Sequence, residues 1–254
     1  MDTTHELDPA PLEAIGRAAG TRGTAEAALL LADAGVPIFP CVQGSTRPLT
    51  ARGPLAATTN LDRVAWWWSR YPATNLGLPT GAASGLDVVE VYADRSRSGY
   101  SALRLAMRAG LLPQPALAIT TPTGGLHLVF PHPPFAAQPS WDAPRSGLGF
   151  HGDGSHILLP PSLVLRADGV VARSHLVGPG NTRTGRVNAA ALRRLVDPDA
   201  ARDRQPSLAP SDTVPSRRRR LSAADPRPTS AGVQRVSPAG PDGSGRRPSE
   251  VVSL

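Results

Sequence analysis

At about Ala200 the chain loses the means to fold on itself. Residues 201–254 contain no aromatic residue, 8 Pro, 10 Arg and 5 acidic residues, a net charge of 10 − 5 = +5. Such a segment cannot bury enough apolar surface to offset the entropy of ordering it, and is expected to be a disordered tail. Whatever needs a core must therefore come from the preceding residues, which suffice for one domain of ordinary size. The polar stretch 1–23 reads as a flexible N-terminal arm, so the expected domain spans 24–200. The whole chain carries +7, from 27 Arg and no Lys against 20 acidic residues, which leaves 7 − 5 = +2 outside the tail. That balance permits polyanion binding, and the run Arg217, Arg218, Arg219, Arg220 is its sharpest feature. A solvated run with no specific partner is the plain alternative.

One cysteine, Cys41, excludes an internal disulfide and any cysteine-built metal cluster. The opening MDTTHELDPAPLEAIG has no apolar segment of the kind a secretory signal needs, and no apolar run is long enough to span a bilayer. The expectation is a cytoplasmic protein with no membrane partner.

Between arm and tail, helical and strand patterns are mixed. Thr24 is placed to cap a helix over AEAALLLADAG, stopped at Gly35. VPIFPCV reads as a short strand, and a long loop with Arg47-Pro48 follows. Thr59 or Asn60 caps a helix over LDRVAWWWSRYP that ends at Pro72. NLGLPTG and LDVVEVY read as strands, SGYSALRLAMRAGLL as an amphipathic helix, and LAIT and LHLVF as strands joined at Thr123-Gly124-Gly125. SGLGFHGDG reads as a compact glycine loop, SHILLPPSLVL as a strand pair broken by Pro160 and Pro161, and NAAALRRLVDP as a closing helix. This order gives an α+β or α/β domain. In the tryptophan helix, Val64 and Trp68 share the buried face, and at least one of Trp66, Trp67 and Trp68 stays exposed, because the three point about 100° apart.

Chemistry-bearing groups gather at three places. Strand alternation puts Asp87, Val89 and Val91 on one face and Val88, Glu90 and Tyr92 on the other. Asp87 and Asp94 fall at the strand ends, where carboxylates are usually solvated. Glu90 lies inside VVEV, where it needs an answering ion, arginine or water-filled cleft. His127 follows the paired glycines Gly124 and Gly125, which permit close backbone approach to a phosphate; it is a proton-transfer or phosphate group, or an ordinary sheet histidine. The third place is the glycine loop with His151, Asp153 and His156. Asp153 is most simply a turn residue. A zinc site from His127, His151 and His156 is conceivable, although the spacing matches no strong zinc pattern.

The order of the pieces resembles the bifunctional DNA primase/polymerase N-terminal domain. It rests on VPIFPC, Arg47-Pro48-Leu49, Ala57-Thr58-Thr59, WWWSRYP, NLGLPTGAASGLDVVEV, TPTGGLHLVF and GFHGDGSHILLPPS, across about residues 25–175. The resemblance implies an archaeo-eukaryotic primase-like fold, an RRM-like mixed sheet flanked by helices. It implies nucleotidyl transfer in DNA replication with Mg or Mn as cofactor, and DNA, nucleotides and a helicase or other replication protein in a separate chain as partners. No G-x-x-x-x-G-K-[ST] motif is present, so unwinding would come from that other chain. The family's first pair of metal carboxylates matches Glu90 and Tyr92, its histidine matches His127, and a further metal-binding Asp matches Gly149. The family's Lys before Arg-Pro matches Thr46, its Arg before Gly-Asp-Gly matches His151, and Pro160, Pro161 and Ser162 are kept. By this resemblance His127 and Glu90 are the catalytic candidates, Glu90 the metal ligand, and Arg47, Thr123, Gly124, Gly125 and His127 the nucleotide contacts.

Two-metal transfer needs carboxylates that clamp both the attacking and the leaving oxygen. One carboxylate at three positions implies weak or lost activity, unless Asp87, Asp94 or Asp153 substitutes. The competing expectation is a non-enzymatic interaction protein, its domain a platform and its Arg-rich tail the contact for nucleic acid or protein.

Overall fold

The three tryptophans sit on a helix whose cap is legible in the residues around it. Asn60 accepts from the Arg63 N–H at 2.8 Å, Asp62 occupies the positive first turn, and the helix stops ahead of Pro72. Val64, Trp67 and Trp68 are buried and Trp66 is 60 % exposed. The expected exposed ring is therefore Trp66, while Trp67 is covered on one side by the Arg63 guanidinium at 5.3 Å. Trp68 Nε1 donates to Thr24 Oγ1 at 3.1 Å. Thr24 is thus the first residue of its own helix and a link to the next, and the position it was expected to cap belongs to Gly23.

The computed structural model describes residues 5–93, 98–178 and 180–199. The expected tail with Arg217–Arg220, and Asp94, lie outside the described residues. Five helices are described: α1 (Pro9–Ala19), α2 (Thr24–Asp33), α3 (Leu61–Arg70), α4 (Tyr100–Arg108) and α5 (Ala189–Val196). The strands are β1 (His5–Glu6), β2 (Phe39–Cys41), β3 (Asn75–Pro79), β4 (Leu86–Val91), β5 (Leu117–Thr120), β6 (Leu126–Pro131), β7 (Trp141–Ala143), β8 (Leu148–His151), β9 (His156–Leu159), β10 (Leu163–Leu165), β11 (Val171–Arg173), β12 (His175–Leu176) and β13 (Arg183–Thr184).

The main sheet runs β12-β5-β6-β4-β8-β7, a smaller one β2-β3-β9, and two ribbons pair β1 with β13 and β10 with β11. All registered pairs are antiparallel. The result is an α+β fold of antiparallel sheets flanked by helices, consistent with a primase-like architecture.

Alternation along β4 divides the core. Val88, with Ile119 and Val129 beside it, packs toward α1, α2, α3 and the small sheet. Val89 and Val91, with Leu128, Phe130, Leu148 and Phe150, pack toward α4 and α5. Two expectations need correction. Residues 9–19 are not a loose arm but helix α1, capped by Asp8 and burying Leu12, Ala14, Ile15 and Ala18 against α2 and the sheet. The glycine-rich 146–154 is not a free loop, since its first half is β8, hydrogen-bonded between β4 and β7. Glycines mask strand patterning because they contribute no side chain to either face.

Candidate functional site

The centre of the main sheet sets four residues in one row across four strands. On β6, β4, β8 and β7 they are His127, Glu90, Gly149 and Asp142, each opposite the next. His151 lies one step away, opposite Val88 on the same face. The strand interior that made Glu90 conspicuous thus supplies its partners from its neighbours. His151 Nε2 is 2.7 Å from Glu90 Oε2, and His127 Nε2 is 3.5 Å from Oε1. The two imidazole rings meet edge to face, centroids 6.1 Å apart. Ser155 Oγ lies 2.9 Å from His151 Nδ1 and orients that ring. His127 Nδ1 is buried and has no hydrogen-bond partner.

Burial disfavours a charge on Glu90, but the hydrogen bonds and proximity of His127 and His151 outweigh it and hold the carboxyl well below the usual range. One carboxylate and two imidazoles, each offering a ligand atom within 4.8 Å of the others, form a group able to hold a metal ion. The combination differs from both sequence expectations. His156 does not take part: it sits on β9 in the small sheet, its Nε2 2.8 Å from the Thr46 carbonyl and its ring edge-on to Phe39. Glu90, which was not among the three histidines considered for zinc, takes its place.

Tyr92 closes the row on its other side. Its backbone is pinned by Tyr92 N to Gly147 O at 2.9 Å and Gly99 N to Tyr92 O at 2.8 Å. Its ring lies over Gly149, where an added Cβ would meet the phenol oxygen at 3.1 Å. Burial first, then the Glu90 and Asp142 carboxylates beside it, push the phenol well above its ordinary pKa, so it stays neutral. Asp142 was missed in the sequence, where one aspartate after a tryptophan in a proline-rich stretch carries no signal; only the β7–β8 register brings it to the row.

Of the proposed substitutes, Asp87 and Asp153 do not join the group. Asp87 is 0 % exposed, on the opposite face, and its expected solvation is wrong. Its carboxylate lies 2.8 Å from His132 Nδ1 and accepts from Gln138 Nε2. Burial raises its pKa even so, with Asp153 adding to the rise. Asp153 accepts from the Ala82 and Gln138 N–H groups at 2.9 and 2.8 Å, as a turn residue does. Gly124 has φ +91°, and a Cβ on Gly125 would strike the Val91 carbonyl at 2.1 Å. The positive φ accounts for Gly124 and the close approach to the end of β4 accounts for Gly125. Thr123 Oγ1 lies 3.1 Å from Thr121 Oγ1 within the same turn.

Arg47 is exposed on the loop after β2. That loop is held by Asn75, also missed in the sequence, whose buried amide donates to the Ser45 and Leu163 carbonyls at 3.1 and 2.6 Å. No helix among the described residues is long and apolar enough to cross a membrane.

With this geometry in hand, the comparisons are specific. The family model for the bifunctional DNA primase/polymerase N-terminal domain matches residues 28–179, more than half of the chain. No curated protein matches the chain at a significant level.

Proposed function

The chain belongs to the bifunctional DNA primase/polymerase N-terminal family, and from that premise we propose that it is a replication-associated primase/polymerase-like protein whose nucleotidyl-transfer centre has been lost. One observation carries this reading: the Tyr92 ring lies over Gly149, so a neutral phenol fills the space between two of the positions where the family resemblance asks for carboxylates. Glu90 is the remaining carboxylate of the three, and two imidazoles already engage it.

This set does not fit a pair of magnesium ions. Magnesium demands several hard oxygen ligands at about 2.0–2.1 Å, and a two-metal clamp needs more than one anionic oxygen ligand. Two imidazoles and one carboxylate instead suit a single ion of the zinc type, which accepts that mixture with an open fourth position. Ser155 against His151 Nδ1 is the kind of outer hydrogen bond that orients such a ligand.

In the same reading the cleft keeps contact with nucleotides or DNA without extending a primer. Arg47 supplies positive charge from its loop, and the turn Thr123-Gly124-Gly125 with His127 borders the approach to Glu90. The arginines Arg217 to Arg220 add a salt-sensitive contact to the phosphate backbone. The setting is the cytoplasm, which suits a single reduced cysteine.

A primer-extension assay tests the proposal. Wild-type protein with a primed template, deoxynucleotides and magnesium or manganese is expected to give no extension above an H127A control. Robust extension abolished by H127A would overturn it. For the tail, the slope of log affinity for single-stranded DNA against log salt is compared with and without residues 201–254. A fall of up to about one unit per lost phosphate contact is expected; identical slopes exclude those arginines from binding.

A further inference from the structure

Behind the main sheet, on the face away from Glu90, the segments 133–141 and 186–193 line a half-open cavity of about 520 Å³. We propose that this cavity binds a small organic anion, a flat apolar body carrying one carboxylate or phosphate group.

The cavity's polar groups are unbalanced toward donors. Its walls are Pro133, Ala136, Pro139 and Trp141, and its charged lining residues are Arg186 and Arg193, with no acidic residue among them. Neither arginine is in an ion pair among the described residues. The amides that also line it are already committed. Gln138 accepts from the Ala189 N–H through Oε1 and donates to Asp87 through Nε2, and Asn188 caps the Ala191 N–H.

Three buried groups are left without a partner: Arg186 Nε, Arg193 Nε and Trp141 Nε1. Each is a donor that cannot accept. Trp141 is only 9 % exposed. Buried donors without acceptors are uncommon in folded chains, and three of them on residues lining one cavity leave it short of acceptors, which a guest supplies once those side chains turn to meet it.

The remaining features point to the same class of guest. Asn188, Ala189 and Ala190 bring the N-terminal end of α5 to the cavity, where the helix dipole favours negative charge. A guanidinium, with its planar fork of donors, suits a carboxylate or phosphate rather than a halide. Proline and alanine walls with a tryptophan face suit a flat apolar body. Trp141 is held for this role by stacking on Phe150, centroids 5.9 Å apart and planes 15° apart. A concave, largely apolar cleft accommodates a small molecule, whereas a nucleic-acid backbone follows an extended basic track.

The inference does not depend on the lost catalytic centre, which lies on the other face of the sheet. The test uses the full chain and isothermal titration with four probes: 2-naphthoate, 1-naphthyl phosphate, the neutral 2-naphthamide and inorganic phosphate. At least one of the two aromatic anions is expected to bind saturably and raise the melting temperature, while naphthamide does not and phosphate alone binds more weakly. R186Q and R193Q should each weaken the bound aromatic anion by about tenfold. W141F, which keeps the stacking but removes the N–H, should weaken it severalfold. R108Q, at the exposed end of α4, removes the same charge without touching the cavity and should leave binding unchanged. Equal binding of naphthoate, naphthyl phosphate and naphthamide would reduce the cavity to an apolar slot and overturn the proposal. So would wild-type affinity in both arginine variants, or no binding by either aromatic anion. The comparison among ligands on the wild-type chain decides the matter even if a variant fails to fold.

Discussion

The phenol of Tyr92 occupies the space above Gly149, 3.1 Å from where a Gly149 side chain would begin. The two residues lie on adjacent strands, and each makes sense only with the other: a larger residue at 149 needs the ring gone, and the ring needs a glycine beneath it. G149D alone is therefore expected to destabilise the protein by about 1–3 kcal/mol through overpacking beside an acid. In the Y92D background the same change should cost clearly less. Urea melts of the two single variants and the double variant give the coupling energy directly. Additive effects would show that Tyr92 does not fill the place of the missing side chain.

How much of this was legible in the sequence depended on whether a side chain announced itself. The buried face of the tryptophan helix, the alternation that sets Glu90 against Asp87, and the hairpin around Gly124 follow from period and turn chemistry, and the structure has them. Helix α1 was missed because Pro9, Pro11 and Gly16 look like loop, although Pro at the first turn of a helix is favourable. Strand β8 was missed for the same reason, with Gly147, Gly149 and Gly152 hiding its alternation. The site was half legible. Glu90 demanded a partner by its position, but which residues answer it is set by cross-strand register, and register is a tertiary property. His151 and Asp142 reach the row only through β8 and β7.

Asp87 makes a second, separate test on the opposite face. Both its oxygens act as acceptors, toward His132 and Gln138. D87N can satisfy only one of them, so a loss of about 1–3 kcal/mol is expected at neutral pH. The sign of the pH dependence follows from the raised folded-state pKa. The native protein takes up this proton at a higher pH than the unfolded chain, whose Asp titrates near about 3.9. Stability from this group therefore rises as pH falls through the native value toward the unfolded one. His132 and Asp153 face the same carboxylate and are present in both proteins. The wild type's margin over D87N should accordingly widen on acidification within that window, as read by urea midpoints across a pH series. A margin that narrows would mean that Asp87 is held as a stabilised carboxylate.

Cys41 offers a chemical probe of the small sheet. Its side chain is fully buried among Phe39 and Leu158, and burial pushes the thiol up to about 12. The thiolate is the reactive form, and at neutral pH almost none is present. Iodoacetamide is expected to leave Cys41 unmodified in the native protein and to label it stoichiometrically in urea. Labelling in native buffer, followed by intact-mass spectrometry, would show that β2 opens on the timescale of the reaction. A Cβ on Gly77 would sit 2.8 Å from the Cys41 sulfur and still closer to Phe39, so G77A should raise the native labelling rate by loosening this contact.

The His127–Glu90–His151 group yields the last prediction, a choice between a hydrogen bond and a metal. At 2.7 Å, His151 Nε2 and Glu90 Oε2 are closer than two ligands of one tetrahedral ion, which stand about 3.3 Å apart when each bond is near 2.0–2.1 Å. Binding an ion thus requires a small opening and the breaking of this hydrogen bond. Zinc titrated into the protein in chelator-free buffer is expected to bind one equivalent, visible as a saturable heat of binding. Magnesium should give no such signal, because imidazole is a poor ligand for it. E90Q, H127A and H151A should each weaken zinc by tenfold or more, about 1.4 kcal/mol or above. H156A, whose ring lies in the small sheet against Thr46, should leave zinc affinity unchanged. If E90Q, H127A and H151A all keep wild-type affinity, zinc binds elsewhere, and the two histidines serve only as hydrogen-bond partners of a half-buried glutamate. The restored set E90D, Y92D and G149D should shift preference toward manganese, since it exchanges a neutral phenol and a bare glycine for two anionic oxygens.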